Sequence, residues 1–363
     1  MRKMVLSGIN LYEGGPLAIY YDCLEAIKGL GIYKRYHIIA FVHKKSLFKK
    51  YKDIINFIEL PKSRKNYAYR LYYEYFFFKK YSNNHDIDIW ISLHDITPNV
   101  KVKKLYTYCH NPSPFMEKDF SKVRYSFKNV AFSYFYKYLY RINISSASAV
   151  IVQQDWMREE FKKMYSIDNI IVARPDIKDD FVIEKIQDKK EKKIFIYPAF
   201  PRFFKNFEVI CEACKYLKKD NFEIWLTIDG SENQYSREIR KKYSELKQIR
   251  WIGIQKREKI FEMYDIADCL IFPSKLETWG LPISEFKLTQ KDILLVDLPY
   301  AHETLGEYEK VMFFRQNDPE QLAKCMKMEI EEKPIYSPQK KINISKPFYK
   351  GWKELLEKIC DNE

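Results

Sequence analysis

The feature that most constrains the fold is the alternation of short apolar runs with longer amphipathic stretches along the whole chain. Runs such as residues 38–42, 105–109 and 269–272 have the length of buried strands, and segments with helical periodicity separate them. This alternation is typical of parallel α/β units. A doubly wound sheet of this kind binds ligands at the carboxyl ends of its strands. We therefore expect functional residues in the loops that follow the strands.

Both halves of the chain carry this pattern. The predicted strands lie near Val5–Ser7, Ile38–Val42, Ile87–Ser92, Leu105–Cys109, Ala149–Val152, Ile194–Pro198, Glu223–Ile228, Arg250–Ile252, Cys269–Phe272, Ile293–Val296 and Val311–Phe314. The predicted helices lie near Leu17–Lys28, Tyr67–Lys80, Phe120–Tyr140, Asp155–Met164, Phe207–Leu217, Glu258–Asp265 and Pro282–Leu288.

The length and composition of the chain predict two domains. Its 363 residues, 46% of them hydrophobic, are enough for two separate cores. The pattern breaks down between Ala173 and Lys193 into a charged run, which indicates a boundary. We predict one domain at 1–176, a second at 177–345, and a C-terminal helix at 346–363 that packs back on the first. Two doubly wound sheets facing each other would leave a central cleft between them.

The positive charge is concentrated in the first half. Residues 1–176 hold 29 Lys and Arg against 16 Asp and Glu, so +13 of the total +14 belongs there. Such asymmetry predicts an acidic partner: a membrane surface, a diphosphate-bearing acceptor or nucleic acid. Segments 62–80 and 122–141 mix basic residues with Tyr and Phe, which suits membrane headgroups or single-stranded nucleic acid, or else a core-facing aromatic stripe. The charge favours reversible contact with an anionic membrane, and no nucleic acid is expected.

The cysteines and carboxylates do not predict a metal site. Cys211 and Cys214 have a CxxC spacing but lie in a helical pattern without a second pair, which favours structural thiols. Asp86 and Asp88 precede a strand and are interpreted as a solvated turn. We predict neither a metal nor a cofactor. The first eight residues are too short and too soon broken for a signal peptide, and no apolar run reaches eighteen residues, so a cytoplasmic location is expected.

The richest chemistry lies in residues 268–287. Glu277 and Glu285 are separated by seven residues, with Gly280-Leu281-Pro282 between them, after an apolar run that indicates a buried strand. Pro282 suits the first turn of a following helix. The backbone N–H groups of Gly280 and Leu281, with the helix dipole, would suit a diphosphate, and the carboxylates would suit sugar hydroxyls. On spacing alone, a chance pair of glutamates and an ordinary helix cap are the commoner explanation.

Other segments extend this pattern into a family resemblance. Residues 198–206 (Pro-Ala-Phe-Pro-Arg-Phe-Phe-Lys-Asn) follow the first strand of the second half, and Trp251-Ile252-Gly253 precedes an amphipathic helix that leads to Ala267-Asp268. Together with residues 267–285 they resemble retaining GT-B glycosyltransferases, family 4 in particular, with its EX7E signature. The resemblance covers about residues 190–315. It departs from the family's small Gly/Pro turn at residues 287–293.

The resemblance implies a donor site in the second half. Arg202 and Lys205 would grip the donor diphosphate and take the place of a metal ion. Glu277 would bind hydroxyls of the transferred sugar, and Glu285 would accept hydrogen bonds from the ribose. In the same segment, Gly280 and Leu281 would contribute backbone N–H groups, and Thr278 and Trp279 would line the donor.

The resemblance is weaker in the first half. Gly14 and Gly15 fall where the family has a glycine-rich loop, which would approach the phosphate from the opposite domain, or else form a plain turn. His110 follows a predicted strand where the family often has a histidine that contacts the sugar. His94 and Asp95 are weaker candidates for contacting the acceptor or activating its hydroxyl.

The leading hypothesis is therefore a metal-independent, retaining glycosyltransferase of the hexosyltransferase type. It would move a sugar from a nucleoside diphosphate sugar to a hydroxyl of a glycan or lipid-linked oligosaccharide, in bacterial surface polysaccharide synthesis. The alternatives are another GT-B enzyme, either a phosphorylase or an epimerase, and a basic α/β protein that binds membrane or nucleic acid without catalysis. The nucleotide base, the sugar, the acceptor, the linkage and the oligomeric state are open at this point.

Overall fold

The structure is a computed structural model that describes residues 1–115, 135–175, 191–217, 220–338 and 340–361. Within these residues the chain forms two compact units. The first contains residues 1–115, 135–175 and 344–361, and the second contains residues 191–217, 220–338 and 340–343. Much of the predicted helix near Phe120–Tyr140 falls outside the described residues.

The first unit is built on an eight-stranded sheet in which every neighbouring pair is parallel. Its strands are β1 (Arg2–Gly8), β2 (Tyr36–Val42), β3 (Asn56–Glu59), β4 (Ile89–Ser92), β5 (Lys104–Cys109), β6 (Ala149–Val152), β7 (Ile170–Arg174) and β14 (Phe348–Lys350). They are arranged in the order β3-β2-β1-β4-β5-β6-β7-β14. Strands β2 and β3 are thus added on one side of β1, and the strands from β4 onward are added on its other side.

The helices of the first unit cover both faces of this sheet. They are α1 (Gly14–Gly29), α2 (Tyr67–Tyr72), α3 (Phe78–Asn83), α4 (residues 135–141), α5 (Asp155–Tyr165) and α12 (Gly351–Asp361). Along β1, Met4 and Leu6 are buried in one core cluster while Val5 is buried in another. Burial on both faces explains why the strands consist of continuous apolar runs.

Two details of the first unit correct the sequence predictions. The helix predicted near Tyr67–Lys80 is interrupted between α2 and α3 by a π-helical turn at Tyr73–Phe77. Such turns are rare and often accompany functional sites. The glycine-rich loop expected at Gly14 and Gly15 is instead the first turn of α1. Strands β3, β7 and β14 were not predicted.

The second unit is a six-stranded parallel sheet with the order β10-β9-β8-β11-β12-β13. Its strands are β8 (Lys193–Tyr197), β9 (Phe222–Leu226), β10 (Ile249–Trp251), β11 (Cys269–Phe272), β12 (Asp292–Val296) and β13 (Val311–Phe314). Its helices are α6 (Phe207–Cys214), α7 (Gln234–Lys242), α8 (Arg257–Ile266), α9 (Leu281–Lys287), α10 (Pro299–Leu305) and α11 (Pro319–Ile330). Helices α7, α10 and α11 were not predicted.

All seven cysteines are buried and none is in a disulfide. This agrees with the interpretation of Cys211 and Cys214 as structural thiols within α6. In the part of the chain that the structure describes, none of the helices has both the length and the apolar character needed to cross a membrane.

Candidate functional site

The strand order of the second unit reverses between β8 and β11, and the loops after these two strands are joined by hydrogen bonds. The backbone N–H of Lys275 donates to the carbonyl of Phe204 at 2.7 Å, and the amide of Asn206 donates to the carbonyl of Pro273 at 3.3 Å. Asn206 has a left-handed conformation (φ 58°) immediately before α6. In open parallel sheets the reversal of strand order creates a crevice that binds ligands.

Lys205 and Glu277 meet at this reversal. Nζ of Lys205 donates a hydrogen bond to Oε1 of Glu277. Their side chains are 17% and 13% exposed, so both charges are largely removed from water but remain reachable. The position of Lys205 is fixed by its carbonyl, which accepts a 2.8 Å hydrogen bond from the hydroxyl of Tyr197 on β8. A cation from one loop and a carboxylate from the other therefore lie together.

Arg202 supplies a second cation to the same loop. Its guanidinium lies 5.9 Å from the ring centre of Phe204, and Nζ of Lys205 lies 5.7 Å from the same ring. The carbonyl of Pro201 accepts a 2.7 Å hydrogen bond from the amide of Asn233, which holds the loop just before Arg202. Arg202 is exposed, so its fork of N–H donors is available to a ligand.

Gly280 ends the loop after β11 and precedes α9. Its φ of 84° lies in the left-handed region, and an added Cβ would approach Cδ1 of Ile283 to 3.1 Å. Both the backbone conformation and the close packing therefore require glycine. Leu281 begins α9 and is half-buried, as is Thr278 in the loop.

Trp279 supports this loop from the core. Its ring is 4% exposed, its Nε1 donates to Oγ of Ser284 at 3.0 Å, and its carbonyl accepts a hydrogen bond from the hydroxyl of Thr304. The predicted role of Trp279 in lining the donor is therefore better described as shaping the loop that carries Gly280.

Glu285 projects from α9 toward α8. Its Oε1 accepts a 3.0 Å hydrogen bond from Arg257, and its Oε2 accepts a 3.3 Å hydrogen bond from the hydroxyl of Tyr264. Burial raises the pKa of Glu285, and these two donors partly offset that effect. The sequence analysis missed Arg257 and Tyr264, whose contact with Glu285 depends on the packing of α8 against α9.

In the first unit the strand order reverses between β1 and β4, and His94 lies at that point. Its Nδ1 is 2.9 Å from the carbonyl of Ser7 on β1, and its Nε2 is hydrogen-bonded to Oε1 of Glu74. His94 is 1% exposed and Glu74, in the π-helical turn, is fully buried. The guanidinium of the buried Arg70 donates to the carbonyl of His94 at 2.8 Å. This arrangement favours a role for His94 in holding the loop over direct contact with an acceptor.

Asp95 connects that loop to His110. It has a φ of 75°, and its Oδ1 accepts hydrogen bonds from the backbone N–H of His110 at 2.8 Å, the N–H of Asn111 at 3.0 Å and the hydroxyl of Tyr140 at 2.9 Å. Nδ1 of His110 lies 3.8 Å from the same oxygen. Burial lowers the pKa of His110, and the charge of Asp95 offsets part of that effect, so the site favours the neutral ring.

Gly14 and Gly15 lie after β1, near the same edge of the first sheet. Gly14 has a φ of 62°, whereas a Cβ added at Gly15 would meet no atom of the described residues within 4 Å. The first turn of α1 is therefore open on the side of Gly15.

The structure thus brings together two sets of predicted residues. Arg202, Lys205 and Glu277 meet in the second unit, and Asp95 and His110 meet in the first. The described residues contain no group of three His, Cys, Asp or Glu side chains arranged to hold a metal ion.

Residues 178–343, which include the whole described crevice of the second unit, match the family model of the glycosyl transferases group 1. This region belongs to the glycosyl transferases group 1 family. The match confirms the resemblance to glycosyl transferases at the level of this family, and it supports sugar transfer as the activity. No curated protein sequence matches the chain.

Solved structures are similar in fold to this chain over most of its length. Sucrose-phosphate synthase from Thermosynechococcus elongatus is 13% identical and superposes with a TM-score of 0.69, covering 92% of this chain and 90% of its own. WaaG, a glycosyltransferase involved in lipopolysaccharide biosynthesis, is 14% identical with a TM-score of 0.64, covering 90% of each chain. HepE from Anabaena in complex with UDP-glucose is 13% identical with a TM-score of 0.58, covering 92% of this chain and 90% of its own. The predicted GT-B fold is confirmed.

Proposed function

We propose that this chain is a metal-independent, retaining glycosyltransferase of family 4 that transfers a hexose from a nucleoside diphosphate sugar to an acceptor hydroxyl. The observation that carries the proposal is the meeting of Arg202, Lys205 and Glu277 where the strand order of the second unit reverses. Donor binding is assigned to the domain at 177–345 and acceptor binding to the domain at 1–176. The helix at 346–363 completes the first domain.

The two cations suit the chemistry of the leaving group. As the glycosidic bond loosens, negative charge grows on the diphosphate and positive charge grows on the anomeric carbon. Lys205 supplies a compact charge and Arg202 supplies a fork of donors that matches phosphate oxygens. Together they would stabilise the diphosphate in the role that a metal ion has in other transferases.

The carboxylates and the glycine suit the rest of the donor. Glu277, held by Lys205, would accept hydrogen bonds from hydroxyls of the sugar. Glu285 would accept hydrogen bonds from the ribose, with Arg257 and Tyr264 holding its two oxygens in place. The N–H groups of Gly280 and Leu281 would face the phosphate. The presence of UDP-glucose in the HepE structure supports a uridine diphosphate sugar as the first donor to test.

In the first unit, His110 is the residue we propose to contact the sugar. The site favours its neutral form, so it would act as a hydrogen-bond partner without transferring a proton. Asp95 positions it through the hydrogen bond to its backbone N–H, and the open first turn at Gly15 would admit the donor phosphate. His94 and Glu74 would act indirectly, by fixing the loop that carries Asp95.

The acceptor we propose is a glycan or lipid-linked oligosaccharide of bacterial surface polysaccharide synthesis, reached at the inner face of the membrane. The +13 charge of residues 1–176 supports an anionic surface as partner. So do exposed aromatic side chains in this unit: Tyr72 on α2 is 51%, Phe76 in the π-helical turn is 68% and Tyr138 on α4 is 64% exposed. WaaG, a structural neighbour, acts in lipopolysaccharide biosynthesis.

The proposal is tested by incubating the full chain with nucleoside diphosphate sugars and lipid-linked acceptors, with and without a chelator. We expect release of one nucleoside diphosphate, unaffected by the chelator, and a product whose anomeric configuration by NMR is that of the donor. Glu277→Gln should abolish the release, whereas Glu232→Gln, in the loop after β9, should keep it. An inverted product, or a reaction that stops when metal is removed, would contradict the mechanism.

A further inference from the structure

A cavity of about 740 Å³ opens at the amino ends of β1, β2 and β3 in the first unit. It lies between the start of β2, the start of β3 and the segment 45–55 that connects them. His94, Asp95 and His110 all follow strands, so they belong to the opposite, carboxyl edge of the same sheet. The cavity is therefore separate from the residues proposed for sugar transfer.

The floor of the cavity is apolar. Ile38, Phe48, Ile55 and Phe57 line it, and all four are buried. The rings of Phe48 and Phe57 are stacked, with their centres 5.3 Å apart and their planes inclined by 14°. Such a floor suits the apolar body of a ligand.

The rim of the cavity is positively charged. Lys45, Lys49 and Lys52 line it and are exposed, and their ammonium groups have no carboxylate partner among the described residues. The neighbouring Lys50 is different, because it turns toward α1 and pairs with Glu25. Asp53 is the one acid among the described residues that line the cavity.

We propose that this cavity binds an anionic amphiphile, namely a phosphate monoester that carries an apolar body. Lysine ammonium groups are mobile point charges that bind phosphate without a fixed geometry. A concave wall of low polarity concentrates the field of charges placed at its rim. The phosphate would lie among Lys45, Lys49 and Lys52, and the apolar body would cover the floor formed by Ile38 and Ile55. This ligand site does not depend on the proposed sugar transfer.

The test is isothermal titration of the full chain with decyl phosphate below its micelle concentration, with decyl maltoside as the uncharged comparison. We expect saturable binding of decyl phosphate alone, weakened about tenfold or more in Lys49→Ala/Lys52→Ala. Two matched variants should bind as the wild type does: Lys241→Ala/Lys247→Ala, which removes two exposed lysines of the second unit, and Lys205→Ala, which removes the proposed diphosphate cation. Thermal unfolding of each variant confirms that it is folded.

Two further ligands identify the source of the phosphate. Binding to vesicles that contain phosphatidic acid would assign the cavity to a lipid headgroup. Binding to a soluble hexose phosphate but not to the vesicles would overturn the proposal, because a hexose phosphate has no apolar body. Equal binding of decyl phosphate by the wild type and by Lys49→Ala/Lys52→Ala would overturn the proposal. So would the absence of saturable binding by the wild type, or the same loss of affinity in Lys241→Ala/Lys247→Ala.

Discussion

The two sheets share one strand order around their first strand, but they place different groups where that order reverses. In the second unit the reversal brings Lys205 and Glu277 together with solvent access. In the first unit it brings Glu74 and His94 together in nearly complete burial, with Arg70 and Asp95 close by. The same topology therefore supports a site that can exchange its partners for a ligand, and a network that cannot.

This difference indicates that the two points of strand-order reversal have different functions. A charge pair that is reachable from solvent can be opened by an incoming diphosphate at moderate cost. A buried hydrogen-bonded pair is costly to break, because removing one partner leaves the other without a partner away from water, so the pair fixes the backbone around it. We infer that the second unit binds the changing charges of the reaction, while the first unit holds His110 in a constant position.

The largest effect on activity should come from a substitution at the strand-order reversal of the second unit. Lys205→Ala should lower kcat/KM for the nucleotide sugar by about 10²- to 10³-fold, because it removes a donor aimed at charge that develops in the reaction. Steady-state kinetics measures this loss. Lys275→Ala is the matched control, since that lysine lies in the loop after β11 but its ammonium donates to Asn317. Equal activity of the Lys205 and Lys275 variants would show that Lys205 has no special role in the reaction.

The second prediction concerns Glu74 in the first unit, where a substitution should lower stability and not nucleotide affinity. Glu74→Gln removes the carboxyl group to which Nε2 of the buried His94 is hydrogen-bonded, which should lower the free energy of unfolding by about 3 kcal/mol. Urea denaturation measures the loss, and nucleotide affinity should stay unchanged because the substitution lies in the other unit. Glu159→Gln, which removes an exposed carboxylate on α5, should have little effect. A Glu74 variant as stable as the wild type would show that the network is not what fixes the loop.

A smaller, pH-dependent effect on stability is expected at the amino ends of β8 and β12 in the second sheet, where Lys193 and Asp292 lie. Glu329 on α11 is fully buried beside Lys193 and Asp292, and burial, followed by the charge of Asp292, raises its pKa to about 7. The hydroxyl of Tyr336 donates to Asp292 at the same place. The native state therefore keeps a proton on Glu329 that the unfolded chain releases above pH 4.5. This stabilisation is complete below pH 4.5 and is lost as the pH rises to about 7.

Glu329→Gln imitates the protonated form permanently. Relative to the wild type it should be of similar stability at pH 4.5 and more stable at pH 8, by an amount of the order of 1–3 kcal/mol. Urea midpoints at the two pH values test this, with Glu320→Gln on the exposed side of α11 as the control. A pH dependence that is identical in the Glu329 variant and the wild type would show that another group controls it.

The site residues of the second unit were easier to predict than the network of the first unit, because they lie close together in the sequence. Arg202, Lys205, Glu277 and Glu285 lie in two short segments that directly follow strands, so spacing and strand pattern locate them. The network around His94 gathers residues 70, 74, 94, 95 and 140, which no local pattern connects. The π-helical turn at Tyr73–Phe77 was likewise invisible, because the helical periodicity continues through it.

The missed strands have the same cause. Strand β14 has three residues and forms because the chain returns after residue 344 to pair with β7, whose last two residues lie in the segment that was interpreted as the domain boundary. Strand β3 is short and half polar. Arg257 and Tyr264 were missed because their role depends on α8 packing against α9, which spacing within either helix does not reveal.

We infer that the second unit binds a nucleoside diphosphate through Glu285 and the crevice beside it. Isothermal titration of uridine, guanosine and adenosine diphosphates in the presence of a chelator tests it most directly. We expect the wild type and Glu262→Gln, an exposed site on α8, to bind one nucleotide equally, and Glu285→Gln to bind it about tenfold more weakly. Equal affinity of the Glu285 variant and the wild type, or no binding of any nucleotide without metal, would contradict the account.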